Sequence, residues 1–249
     1  MSEFTRRDFI ARAGAAMGSV AAPGALFGGT AEALPPARRR FFKNLSLGRL
    51  GFGGTFQQSV DLAQRYGFEG IDPDEKLFAS LSDSEMQRLL DGLRAKNLKL
   101  ASGAFPVNFR RDEVTFNDGL KRLPEVAKTL RRARVDRMNT YVLPCSNSLT
   151  YLQNFRQHAC RLRECAKVLA DYGQRLGLEY VATRTLWRSE SQPFIHTMSE
   201  MKELEVAIGM DNLGIQLDSW HWYNAQENAA DIETLRGRDV ITVDLNDAP

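Results

Sequence analysis

The stretch LDSWHWY, residues 217–223, puts an acid at the end of an apolar run and then an imidazole between two indoles. The chain has three Trp and three His, and this corner takes two Trp and one His. An acid at a strand end can hold a cation. A histidine can donate to a substrate hydroxyl, and indole faces stack on sugar C–H groups. Two more acids stand in comparable settings, Glu179 in GLEYV and Asp244 in ITVDLN. Strand alternation puts Leu213, Ile215 and Leu217 on one face, and Gln216 and Asp218 on the other. The same parity turns Thr242, Asp244 and Asn246 inward, and Glu179 away from Leu178 and Tyr180. Each acid alone is explained by an arginine partner or a helix cap. Three at matched parity would repel one another, and a bound divalent cation is the simplest remedy. The metal candidates are therefore Glu179, Asp218 and Asp244, for Mn, Mg, Co or Zn. Glu179 and His221 are the catalytic candidates. His221, Trp220, Trp222 and Arg184 are the substrate-binding ones, Arg184 for an anionic or hydroxyl-rich group.

These side chains must be carried by something that repeats. Short apolar runs at 45–48, 68–72, 98–104, 137–143, 178–182, 213–218 and 240–246 read as strands. Helices are expected over 56–66, 83–96 with Ser82 or Asp83 as cap, 118–134, 152–176 ended by Gly177, 193–208 and 225–236. Seven alternating units imply parallel strands joined by crossovers, and their number favours an α/β (β/α) barrel over a smaller doubly wound sheet. In such a barrel the site lies at the C-terminal ends of the strands, where the three acids fall. No GxGxxG follows the first strand, so a dinucleotide site is not indicated.

The 33 basic and 31 acidic residues leave a net charge of +2, which gives no electrostatic case for nucleic acid or an anionic membrane. Arg131, Arg132 and Arg134, like Arg110 and Arg111, read as solvated faces. Cys145, Cys160 and Cys165 lack zinc-finger spacing and read as buried free thiols. His158 and His196 fall in expected helices as surface or packing residues.

At the front, Thr5-Arg6-Arg7-Asp8-Phe9-Ile10 resembles a twin-arginine export signal, and Ala31-Glu32-Ala33 offers small residues for cleavage. Residues 1–33 are read as a signal peptide and 34–249 as the barrel domain, giving a periplasmic or otherwise exported protein. The Gly/Ala-rich stretch with Pro23 is too weakly apolar for stable membrane insertion.

At GFEGID (67–72), LGLEYVATRTLWRSE (176–190), NLGIQLDSWHWYNAQE (212–227) and VDLNDAP (243–249) the chain resembles the xylose isomerase-like TIM barrel family, the sugar phosphate isomerase/epimerase group. The resemblance implies a divalent metal, with Glu179 and Asp218 at the first two ligand positions and His221 on the substrate side. Asp244 stands where the family has a histidine. The family continues through an eighth strand with a final glutamate that nothing here replaces, so an incomplete barrel is expected. The implied activity is a metal-dependent sugar isomerase or epimerase that moves a proton next to a carbonyl through an enediolate. The alternatives are a metal-dependent hydrolase or lyase on the same scaffold, or a carbohydrate-binding barrel without turnover. The implied partner is a small-molecule carbohydrate, and a homo-oligomer is left open.

Overall fold

The computed structural model describes residues 41–246; the expected export signal at 1–33 lies outside them. In chain order the elements are β1 (Asn44–Leu45), α1 (Phe56–Arg65), β2 (Gly70–Ile71), α2 (Glu75–Ser80), α3 (Asp83–Ala95), β3 (Lys99–Leu100) and β4 (Gly103–Ala104). Next come α4 (Glu113–Arg132), β5 (Arg137–Val142), β6 (Cys145–Ser146), α5 (Tyr151–Asp171), β7 (Arg175–Tyr180) and α6 (Arg184–Trp187). The series ends with β8 (Gln192–Pro193), α7 (Met198–Ile208), β9 (Leu213–Asp218), α8 (Ser219–Asn224), α9 (Ala229–Glu233) and β10 (Val240–Asp244).

The strands form two parallel sheets, β1-β2-β3 and β10-β9-β7-β5-β4. The run 98–104, expected as one strand, supplies both β3 and β4: its first half pairs with β2 and its second with β5. One chain segment thus passes from one sheet to the next, and seven staves follow one another as a partial barrel. Among the described residues β10 and β1 share no ladder. A two-stranded antiparallel sheet, β6 with β8, ties the connection after β5 to the one after α6. No described helix is long and apolar enough to cross a membrane.

Several boundaries differ from expectation. Helix α5 stops at Asp171, because Gly173 takes a left-handed φ of 63° and lets the chain turn into β7. Gly177 is therefore no helix stop but the middle of β7. Helix α4 begins at Glu113, five residues before the expected 118, since the Asp112 carboxylate accepts from Thr115 N at 2.9 Å. Helix α7 begins at Met198, where Thr197 and Glu200 make a capping box, and the preceding Pro193 pairs as strand instead. His196 thus lies in a loop. Of the expected helix at 225–236 only the short α9 forms, and a separate short helix that was not expected, α8, precedes it and carries His221.

The barrel interior is shaped by glycines. Gly177 and Gly214 are register partners on β7 and β9. A Cβ on Gly177 would meet the Ile241 Cβ at 3.1 Å, and one on Gly214 the Ile241 Cδ1 at 3.0 Å. Strand β10 makes room with a bulge: Val240 pairs with Ile215 but Thr242 with Gln216, which leaves Ile241 as the extra residue. The side-chain alternation is broken there, so Ile241 fills the interior while Thr242 still reaches Asn139 across the barrel at 2.8 Å. Outside, the helices close one core that includes Leu162, Leu169, Leu176, Leu178, Ile215 and Leu217. Of the three cysteines only Cys165 is buried; Cys160 is exposed and Cys145 intermediate, because the outward face of α5 carries Cys160.

Candidate functional site at the strand ends

The three acids lie at the C-terminal ends of β7, β9 and β10, as parity required. Leu213, Ile215 and Leu217 are buried against the helices, and Gln216 and Asp218 are buried on the barrel side. In the ladder Thr242 pairs with Gln216 and Asp244 with Asp218, so the polar residues stack in register.

Glu179, Asp218 and His221 have ligand atoms within 4.8 Å of one another. Asp218 is held at both oxygens: Oδ1 accepts from Trp220 N at 2.7 Å, capping α8, and Oδ2 accepts from Asn246 Nδ2 at 2.6 Å. This cap turns the chain so that His221, one helical step later, faces back to the carboxylates. The His221 Nδ1 accepts from Ala182 N at 3.3 Å, which puts the proton of the neutral ring on Nε2. Burial lowers the His221 pKa, with Asp218 pulling the other way, so the ring is neutral at pH 7.

Glu179 is held through Gln216. The Gln216 Nε2 donates to Glu179 Oε1 at 3.0 Å and to Asp244 Oδ2 at 2.5 Å. Burial pushes the Glu179 carboxyl up to about 8, with Asp218 and then Asp244 adding to the rise and Arg49 opposing it. The site is thus an anionic cluster short of positive charge.

Asp244 stands apart from the close trio. Its Oδ2 also accepts from Arg49, which reaches across from the turn after β1. Burial raises the Asp244 pKa, Arg49 pulls against the rise, and Asp218 adds to it. The charge that Asp244 carries, where the family resemblance places a neutral histidine, is answered by Arg49.

The aromatic pair divides. Trp222 is 8% exposed and packs in the core, so it offers no platform to a ligand; its place on α8 points it at the helix layer. Trp220 stays half-buried beside Asp218. Arg184 opens α6 and is exposed, outside the trio. His158 is a packing residue, 5.2 Å from the Phe109 ring and 5.0 Å from that of Phe194. Arg110 is not a solvated loop residue. It is half-buried, with its guanidinium 4.7 Å from the Phe109 ring and 4.2 Å from the Tyr141 ring.

Gln216 and Asn246 were legible as inward residues but had no assigned task; their hydrogen bonds to acids give them one. Tyr141 is the register partner of Glu179 and shares its face, which strand alternation could have disclosed. Arg49 gave no sequence signal, since its partner lies 195 positions away.

The family model described as xylose isomerase-like TIM barrel matches residues 60–249. Inosose isomerase of Bacillus velezensis is 22% identical over 196 residues, which cover 78% of this chain and 68% of that protein. A xylose isomerase domain protein from Alicyclobacillus acidocaldarius is 28% identical, with a TM-score of 0.70 over 81% of this chain and 71% of that one. The IolI protein with a bound zinc atom superposes with a TM-score of 0.67 at 18% identity, over 84% of this chain and 75% of that one. At that identity the last likeness speaks for the fold alone. With its parallel staves, its acids at their C-terminal ends and a family match over most of its length, the chain belongs to the xylose isomerase-like TIM barrel family.

Proposed function

We propose that this protein is a divalent-metal-dependent sugar isomerase or epimerase that moves a proton next to a carbonyl. The observation that carries the reading is the trio Glu179, Asp218 and His221, gathered within 4.8 Å at the mouth. The donor set fits a cation: two carboxylates face each other in a buried site, and burial, with the Asp218 and Asp244 charges adding to it, pushes Glu179 up. Glu179 and Asp218 would hold the ion, and their carboxylates can take Mg²⁺ or Mn²⁺, with Co²⁺ and Zn²⁺ as further candidates. A bound divalent ion supplies Lewis-acid polarisation of a carbonyl and its neighbouring hydroxyl. The kinship with inosose isomerase and the zinc bound to IolI support the same reading.

The chain's own residues do the rest. Glu179 takes the proton from the carbon beside the carbonyl, giving an enediolate, and returns it to the neighbouring carbon. Gln216 fixes the Glu179 Oε1, leaving the other oxygen for the substrate. His221 donates from Nε2 to a substrate oxygen, and Trp220 gives an apolar wall. One base on one face serves an isomerisation; inversion at a single carbon needs a second base opposite. Export completes the proposal, supported by Arg6-Arg7 and Ala31-Glu32-Ala33.

The test is deuterium incorporation beside the carbonyl of ketoses and inososes in D₂O, with Mn²⁺, Co²⁺ or Zn²⁺ added. Glu179→Gln should cut the exchange rate by about 100-fold or more. A protein that binds sugars without exchange would be a binding barrel, and loss of water from the substrate would make it a lyase.

A further inference from the structure

Arg49 sits on the 3-10 turn Gly48–Leu50 that follows β1, and its side chain is half-exposed. It crosses the side of the barrel where β1 and β10 share no ladder and donates to Asp244 Oδ2. That same oxygen accepts from Gln216, whose amide also donates to Glu179. A single chain of hydrogen bonds therefore joins Arg49, Asp244, Gln216 and Glu179. Glu179 and Asp218 also lie within the electrostatic reach of Arg49. Fully ionised, this group of described residues holds three carboxylates, Glu179, Asp218 and Asp244, and the guanidinium of Arg49. Their sum is −2, the complement of one divalent cation.

We propose that Arg49 is a positioning residue that competes with the metal ion for the carboxylate cluster. It holds Asp244 away from Glu179 and Asp218 and sets the charge that the ion meets. The site then binds its ion more weakly than three free carboxylates would, and the ion stays exchangeable. The inference rests on the metal reading given above and adds a role for Arg49 and Asp244.

The test is a double-variant cycle, read by calorimetric titration of Mn²⁺ and Zn²⁺ into metal-stripped protein, with a thermal melt of each variant as a check on folding. Arg49→Met removes the competitor and should tighten binding by roughly tenfold. Asp244→Asn leaves the guanidinium unpaired beside Glu179 and Asp218 and should weaken binding by about the same factor. The double variant restores the charge sum and should return within about threefold of wild type. Arg49→Lys keeps the charge and should stay close to wild type. A residue that only clasped β1 to β10 would shift the melts without this reversal of sign. Weakened or unchanged binding in Arg49→Met, with wild type binding normally, overturns the role of Arg49 alone. Absence of binding by wild type to either ion overturns the metal reading with it.

Discussion

His221 is the residue whose chemistry depends most on a single neighbour. Because its Nδ1 accepts from Ala182 N, the neutral ring carries its proton on Nε2 and acts as a donor. Nitrogen-15 NMR of the ring should show the Nε2–H form near pH 7, retained on addition of Zn²⁺. Loss of that proton on adding the ion would make His221 a ligand instead of a substrate donor. Asp218 illustrates the opposite case, where two constraints hold one group. Its carboxylate caps α8 and also meets Asn246, so Asp218→Asn should disturb the placement of His221 as well as the ion's charge balance.

At the scale of elements, β7, β9 and β10 meet over a shared interior site. Gly177 and Gly214 exist as glycines because Ile241 occupies the space their Cβ atoms would take. The two differ in what surrounds them. Next to Gly177 the closest atoms belong to the Ile241 and Asn139 side chains, at 3.1–3.2 Å, whereas next to Gly214 the Asp239 backbone carbonyl lies at 2.8 Å. Side chains can yield and backbone cannot. Gly177→Ala should therefore cost about 1 kcal/mol and be relieved in part by Ile241→Ala, which removes the Cγ2 but leaves the Cβ, while Gly214→Ala should cost about 2–3 kcal/mol with little relief. Urea denaturation of the singles and doubles measures this. Equal costs, or equal relief, would contradict the packing described.

At the scale of the whole molecule, two titrating groups outside the site, the buried His158 and the partly buried Glu205, tilt stability with pH in opposite directions. Burial pushes the His158 pKa down from 6.5 to about 4, so its unfolded form takes a proton first as pH falls. The stability it contributes is present above pH 6.5 and lost between 6.5 and 4, at most roughly 3 kcal/mol. Burial raises Glu205 from 4.5 to about 7, with Asp239 adding to the rise and Lys202 and Arg175 opposing it. The folded form then keeps its proton longest, and stability is lost as pH rises from 4.5 through 7. Glu205→Gln should raise Tm at pH 8 and leave it unchanged near pH 4. His158→Phe should gain on wild type as pH falls below 6.5. Melting curves across pH 4–8 read both, and parallel profiles for wild type and variants would refute the assignment.

The sequence by itself determined the periods. Strand–helix alternation gave a barrel of parallel staves, and the parity of β9 and β10 turned Gln216, Asp218 and Asp244 inward, because an alternating apolar face has only one way to meet the helix layer. It also marked Ser82 as a capping position through local hydrogen bonding, which needs only three or four neighbouring residues. The tertiary structure decided the rest. Gly177 read as a helix stop until Ile241 was seen to lie against it. Trp222 looked like a platform until the core closed around it. Arg49 carried no signal at all. In each case the deciding partner is tens to hundreds of positions away, and the local pattern that fixes a strand or a cap holds no record of which distant side chain will fill a gap or answer a charge.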